Sequence, residues 1–170
     1  MGQLKERLAG KATSKLIESV VNEVIACPET FSELYQLTLE TDEKLAWNAL
    51  WACEKVGEQR PEWLASRYDE WVERLLHCCH EGSKRILLAI LYNMPVQTPI
   101  SVPLLNFCFS HGFSPQESIG VQALSIRMAH KLCMAEPALL PELKVLLETA
   151  DESIFSKGVQ ATIRGVRKKL

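Results

Sequence analysis

The sequence predicts an all-α protein, a right-handed α-α superhelix of four to five helix pairs that fills residues 1–170 as one domain. Three observations carry this expectation. Apolar residues recur at three-to-four-residue spacing in segment after segment, each bounded by a capping residue, a proline or a glycine. No stretch alternates apolar and polar residues over a strand's length, and no Asn-Gly or Asp-Gly turn joins two β-rich runs. A short local pattern also returns along the chain at intervals of a helix pair.

The first helix is capped by Thr13 or Ser14 and carries Leu16, Ile17, Val20, Val21, Val24 and Ile25 on one stripe until Pro28 stops it. That proline opens a second segment with Phe31, Leu34, Tyr35 and Leu37. Thr41 or Asp42 caps a third, whose broad face holds Leu45, Ala49, Leu50, Cys53 and Val56 and which ends near Gly57. Pro61 opens a fourth that runs through Leu64, Tyr68, Trp71, Val72 and Leu75 to Cys79, with these residues inward and Arg67, Glu70, Arg74 and His77 following another face. Gly82 and Ser83 begin a fifth, Ile86 to Tyr92, apolar nearly all round and therefore expected to be covered on several sides. After the proline-punctuated stretch 95–103, Leu104 to Phe109 forms a short sixth helix ended by Gly112. Ser114-Pro115-Gln116-Glu117 reads as the start of a seventh that continues to about Ala135. Pro137 opens the eighth, with Pro141 in its first turn, and Asp151 caps the last.

Four of these helices share a pattern of bulky, variable, small, bulky residues. They are Trp47-Asn48-Ala49-Leu50, Leu87-Leu88-Ala89-Ile90, Val121-Gln122-Ala123-Leu124 and Val159-Gln160-Ala161-Thr162. Three residues before each alanine stand Ala46, Ile86, Gly120 and Gly158, three of them small enough for close helix approach. Each interval holds two helices, the content of a helical-repeat unit. From Thr13 to Leu170 the chain resembles the HEAT and armadillo-like family, with Asp42 and Asp151 similar to the acid that often opens such a repeat. The consensus proline, aspartate and basic positions are incompletely kept, and the uneven period leaves a non-repetitive helical bundle as the alternative.

Composition sets the boundaries of function. Hydrophobic residues make up 47% and charged residues 24%, an ordered, core-forming balance. A net charge of −2 gives the whole molecule no general attraction to nucleic acid or anionic membrane. The apolar run at Ile86–Leu91 falls far short of the roughly 20 residues that span a bilayer, so no membrane association is expected. Charges interrupt the N-terminal segment where an export signal would be apolar, and the six cysteines sit mostly in apolar helical stretches. Both features point to a reducing cytoplasm.

The most chemical-looking string is His77-Cys78-Cys79-His80-Glu81, with Cys108 and His111 downstream. Zinc needs four convergent ligands, whereas adjacent cysteines on a helix diverge by about 100°. Core thiols flanked by exposed histidines are the preferred reading, so no metal site, cofactor or catalytic residue is assigned. Trp47, Trp51, Trp63 and Trp71 concentrate in one repeat, as an aromatic binding patch or as packing between the third and fourth helices; Trp63 and Arg67, four apart, are placed to stack. The ends are basic, +3 over residues 1–17 and +3 over 151–170, while the second repeat is acidic.

The expectation is a non-enzymatic scaffold or module that binds another protein or a peptide. In the family this chain resembles, the second helix of each repeat generally lines the concave side, which implies Arg67, Glu70, Arg74 and His77, with Asn106 and Glu142, as the contact face. The mixed charge of that face suits a protein or peptide better than a polyanion. The alternative is nucleic-acid binding of the kind done by HEAT-like alkylpurine DNA glycosylases, against which stand the acidic second repeat and the lack of a basic stripe along the second helices.

Overall fold

The computed structural model describes residues 2–170, and among them eleven α-helices and three 3-10 turns form and no strand. Contacts within the chain gather into two compact units, one ending at Tyr68 and one running Asp69–Leu170.

In the first unit lie α1 (Gly2–Ala9), α2 (Ser14–Ala26), a 3-10 turn at Pro28–Thr30, α3 (Phe31–Leu37), α4 (Glu43–Gln59) and α5 (Pro61–Ala65). The start signals act as expected: Thr13 Oγ1 accepts from the Leu16 amide at 3.2 Å, and Asp42 accepts from the amides of Lys44 and Leu45. Helix α4 is the hub, packing on α1, α2, α3 and α5 through Leu45, Ala49, Ala52, Cys53 and Val56, all buried. It runs past Gly57 rather than ending there. A Cβ on Gly57 would stand 3.2 Å from the Leu64 side chain, so this glycine permits the close approach of α5 instead of marking a stop. Helix α1 has no counterpart in the sequence reading. Leu4 and Leu8 are its only buried residues, and its C-terminal end is held from α4, where buried Asn48 donates Nδ2–H to the carbonyls of Leu8 at 2.8 Å and Gly10 at 3.2 Å.

The second unit holds α7 (Glu81–Asn93), α8 (Val102–Gly112), α9 (Ile119–Ala135), a 3-10 turn at Pro137–Leu139, α10 (Leu140–Thr149), a 3-10 turn at Glu152–Ile154 and α11 (Lys157–Arg167). At the junction of the units, the expected fourth helix breaks in two: α5 ends at Ala65, Ser66 and Arg67 form a turn, and α6 spans Tyr68–Leu76. Cys78 and Cys79 therefore lie beyond the helix, and Cys79, expected inward, is exposed. Helix α9 is the hub here, packing on α7, α8, α10 and α11. Ile86 through Leu91 of α7 are all buried, as an apolar helix without a polar face requires.

Three start sites differ from the sequence reading, because a polar side chain other than the expected one meets the first free amides of the helix. The imidazole of His80 caps α7, Nδ1 accepting from the Ser83 amide at 3.2 Å. Ser118, not Ser114, caps α9. Ser114 instead donates Oγ–H to Gln116 and gives its carbonyl to Gln122 Nε2 at 2.6 Å. Asp151 caps only the 3-10 turn, and Ser156 caps α11.

The variable position of the repeated pattern has a structural meaning. Asn48, Gln122 and Gln160 each turn a carboxamide onto backbone carbonyls outside their own helix: Asn48 reaches the end of α1, while Gln122 and Gln160 reach the segment just before their helix, Gln160 meeting Glu152 at 2.8 Å and Phe155 at 3.0 Å. Backbone acceptors that the loops leave unpaired are thereby satisfied. In α7 the same position is Leu88, fully buried.

Candidate functional site

The six residues read from the sequence are placed as follows. Arg67, in the turn after α5, lays its guanidinium 4.0 Å from the centre of the Tyr35 ring within the first unit, not against Trp63. Trp63 instead pairs with Phe31 at 5.7 Å and lies under Arg60 at 5.9 Å. In the second unit, Glu70 and His77 are exposed on or just past α6, and half-buried Arg74 extends over the ring of fully buried Trp71 at 5.1 Å. His77 Nδ1 donates to the Glu73 carbonyl at 2.9 Å. Asn106 on α8 and Glu142 on α10 are exposed. The tryptophans divide between the two readings. Trp71 is core, while Trp47 and Trp51, tilted together at 5.5 Å, are half-buried with Trp63.

The histidine-cysteine string disperses into separate tasks. His80 is a helix cap and Cys79 is exposed. His111 stacks on Phe107 with ring centres 3.7 Å apart. Among the described residues no three His, Cys, Asp or Glu side chains gather as a metal site would need. Burial raises the Cys108 and Cys78 thiols above their ordinary value, and burial with the nearby Glu142 carboxylate raises Cys133 to about 11. An attacking thiol needs the opposite shift.

Two arrangements were missed by sequence reasoning. The first is an ion cluster that ties the starts of α7 and α9 to the end of α8. Buried Lys84 donates to Glu81 at 3.0 Å and to both oxygens of Glu117 at 3.0 and 3.2 Å, and His111 Nε2 lies 3.4 Å from Glu117. Hydrogen bonding from Lys84 brings the Glu81 carboxyl down to about 2. Every charge here has a partner, so the cluster is a fastening rather than a ligand site.

The second is an open cleft of about 450 Å³ where α9 and α11 lie side by side, reaching Tyr92 on α7. Arg127 on α9 and Lys169 just past α11 supply its charge, His130 on α9 also lines it, and no carboxylate does. Neither α9 nor α11 contains an acidic residue. Among the described residues the guanidinium of Arg127 and the ammonium of Lys169 have no hydrogen-bond or ion-pair partner, whereas Arg7, Arg60, Arg164 and Arg167 are each paired with a glutamate. His130 Nε2 is buried without a hydrogen-bond partner. Its pKa is lowered by burial and by Lys169, which keeps the imidazole neutral near pH 7. The neighbouring Lys131 turns away and donates to the carbonyls of Tyr92 and, at 2.7 Å, Met94, at the C-terminal end of α7. In the first unit an open groove of about 780 Å³ runs beside α1 and α3, and of the charged residues that line it Lys5 and Glu40 pair with each other at 2.8 Å.

A family model described as a HEAT repeat domain matches residues 4–170. No curated protein and no solved structure matches the chain. No helix among the described residues is long and apolar enough to cross a membrane.

Proposed function

The chain belongs to the HEAT repeat family, and on that premise we propose that it is a non-enzymatic interaction module whose ligand is another protein or a peptide. The observation that carries this reading is the family match over residues 4–170, on a fold of stacked helices most of which bury one side and turn the other to solvent. The raised thiols of Cys78, Cys108 and Cys133 support it, since burial leaves those three without the activation a nucleophile needs. The match runs through the boundary at Tyr68, which supports reading residues 1–170 as one repeat domain. All six cysteines are free, in keeping with a reducing, cytoplasmic setting.

For the contact face we propose the side chains that reach solvent on the second helices, Glu70, Arg74 and His77 on α6, Asn106 on α8 and Glu142 on α10. Arg67, held on Tyr35, is the member of the sequence-read set with a clear structural task. The test is quantitative capture by the full chain and by its Arg74→Glu, His77→Glu variant, with and without nuclease. The reading expects saturable capture of defined proteins that survives nuclease and falls at least tenfold in the variant. Capture abolished by nuclease would overturn it in favour of nucleic acid. Partners retained in full by the variant would remove α6 from the contact face.

A further inference from the structure

The geometry points to the α9–α11 cleft as a docking site for an acidic, extended segment of a partner protein, with Arg127 and Lys169 as the charge-reading residues. The inference rests on the interaction-module reading but uses a separate surface from α6. Its first support is charge. Two cations line one cavity, neither has a counter-ion among the described residues, and no carboxylate stands on either helix that forms the walls. Unpaired like charges lining one cleft raise the energy of the folded state, and an anionic ligand relieves it. The second support is an unmet hydrogen-bonding group, His130 Nε2, buried at the cleft with nothing in the chain to meet it.

Shape selects among anions. The α11 side of the cleft is a stripe of Gly158, Ala161 and Gly165, so a ligand backbone can lie close against the helix. Seven residues of helix from Gly158 to Gly165 rise about 10 Å, at 1.5 Å each. That length fits about three residues of extended chain at roughly 3.3 Å per residue. The volume falls within the roughly 300–1,000 Å³ of ligand pockets, and Tyr92 offers an aromatic wall. A duplex, by contrast, presents one charge per roughly 1.7 Å of axis, and two cations in one cleft neutralise too few of them for strong binding.

Gly165 makes the proposal testable without disturbing the core, because a Cβ there meets nothing within 4 Å. A leucine at this position fills the cleft and replaces a helix-weakening glycine. The experiment is fluorescence anisotropy with a labelled peptide carrying three consecutive glutamates, its glutamine counterpart and a labelled 20-base-pair duplex. Proteins are the wild type, Gly165→Leu and Arg127→Glu, Lys169→Glu, each full length and checked for an unchanged circular dichroism spectrum. The proposal expects the glutamate peptide to bind at least tenfold tighter than the glutamine peptide and the duplex at 150 mM salt. Both variants should lose at least tenfold. Equal binding of glutamine and glutamate peptides, tighter binding of the duplex, or a Gly165→Leu protein that binds like the wild type would each overturn it. No binding of the glutamate peptide even at 50 mM salt would also overturn it, and would leave the α6 capture experiment to decide the broader reading independently.

Discussion

Two glycines illustrate how much a single hydrogen can matter in this chain. A Cβ on Gly112, buried at the end of α8, would stand 3.0 Å from Ile126 Cγ1 and 3.3 Å from the Ile126 amide nitrogen, which is backbone and cannot yield. Gly112→Ala should therefore cost about 1–3 kcal/mol, as overpacking does, whereas Gly165→Ala should gain about 0.5–1 kcal/mol. Urea unfolding of the two variants beside the wild type checks the opposite signs. Glu81 provides a pH test at the same scale. Its carboxyl is brought from the ordinary 4.5 to about 2, first by the hydrogen bond from Lys84. A depressed carboxyl contributes stability that is present above the unfolded value and disappears as pH falls through the folded one. The wild type should thus lose stability between pH 4.5 and 2 more steeply than Glu81→Gln, measured as urea midpoints across that window.

At the scale of the element, the carboxamides on α4, α9 and α11 are the joints of the repeat. Asn48→Leu keeps the size of the side chain but leaves the Leu8 and Gly10 carbonyls without their donor, and should cost about 1–3 kcal/mol. Amide hydrogen exchange should show α1 losing protection first in that variant, since the lost bonds hold its end. The same residues explain what was legible beforehand. Apolar periodicity located nearly every helix, because burial of a stripe is a local property of the sequence. Boundaries were less legible. Ser114-Pro115-Gln116-Glu117 has the residues of a helix start, yet Gln122 takes the Ser114 carbonyl and Lys84 takes Glu117, from positions that spacing does not reveal. Helix α1, eight residues with only two buried, depends on an asparagine forty positions away and carries too short a stripe to announce itself.

At the scale of the whole molecule, the six thiols report which parts are closed. Cys27 and Cys79 are exposed, while Cys53, Cys108 and Cys133 are buried. Brief alkylation of the native protein at pH 8, read by mass spectrometry, should label the first two and spare the last three until urea unfolds the chain. Native labelling of Cys108 would contradict the packing of α8 on α9. The α9–α11 cleft was illegible in the sequence for a reason at this scale too. Arg127 and Lys169 stand forty-two positions apart in the sequence, and only the side-by-side packing of two helices that carry no acidic residue makes them one surface. Leu88 carries a further consequence. Because α7 has an apolar side chain where α9 and α11 have a glutamine that holds the segment before them, no carboxamide from that position pins the loop before it, and His77, Cys79 and His80 there are exposed. That loop, up to the His80 cap, is accordingly a point where evolution or an engineer can insert residues without breaking a carboxamide joint.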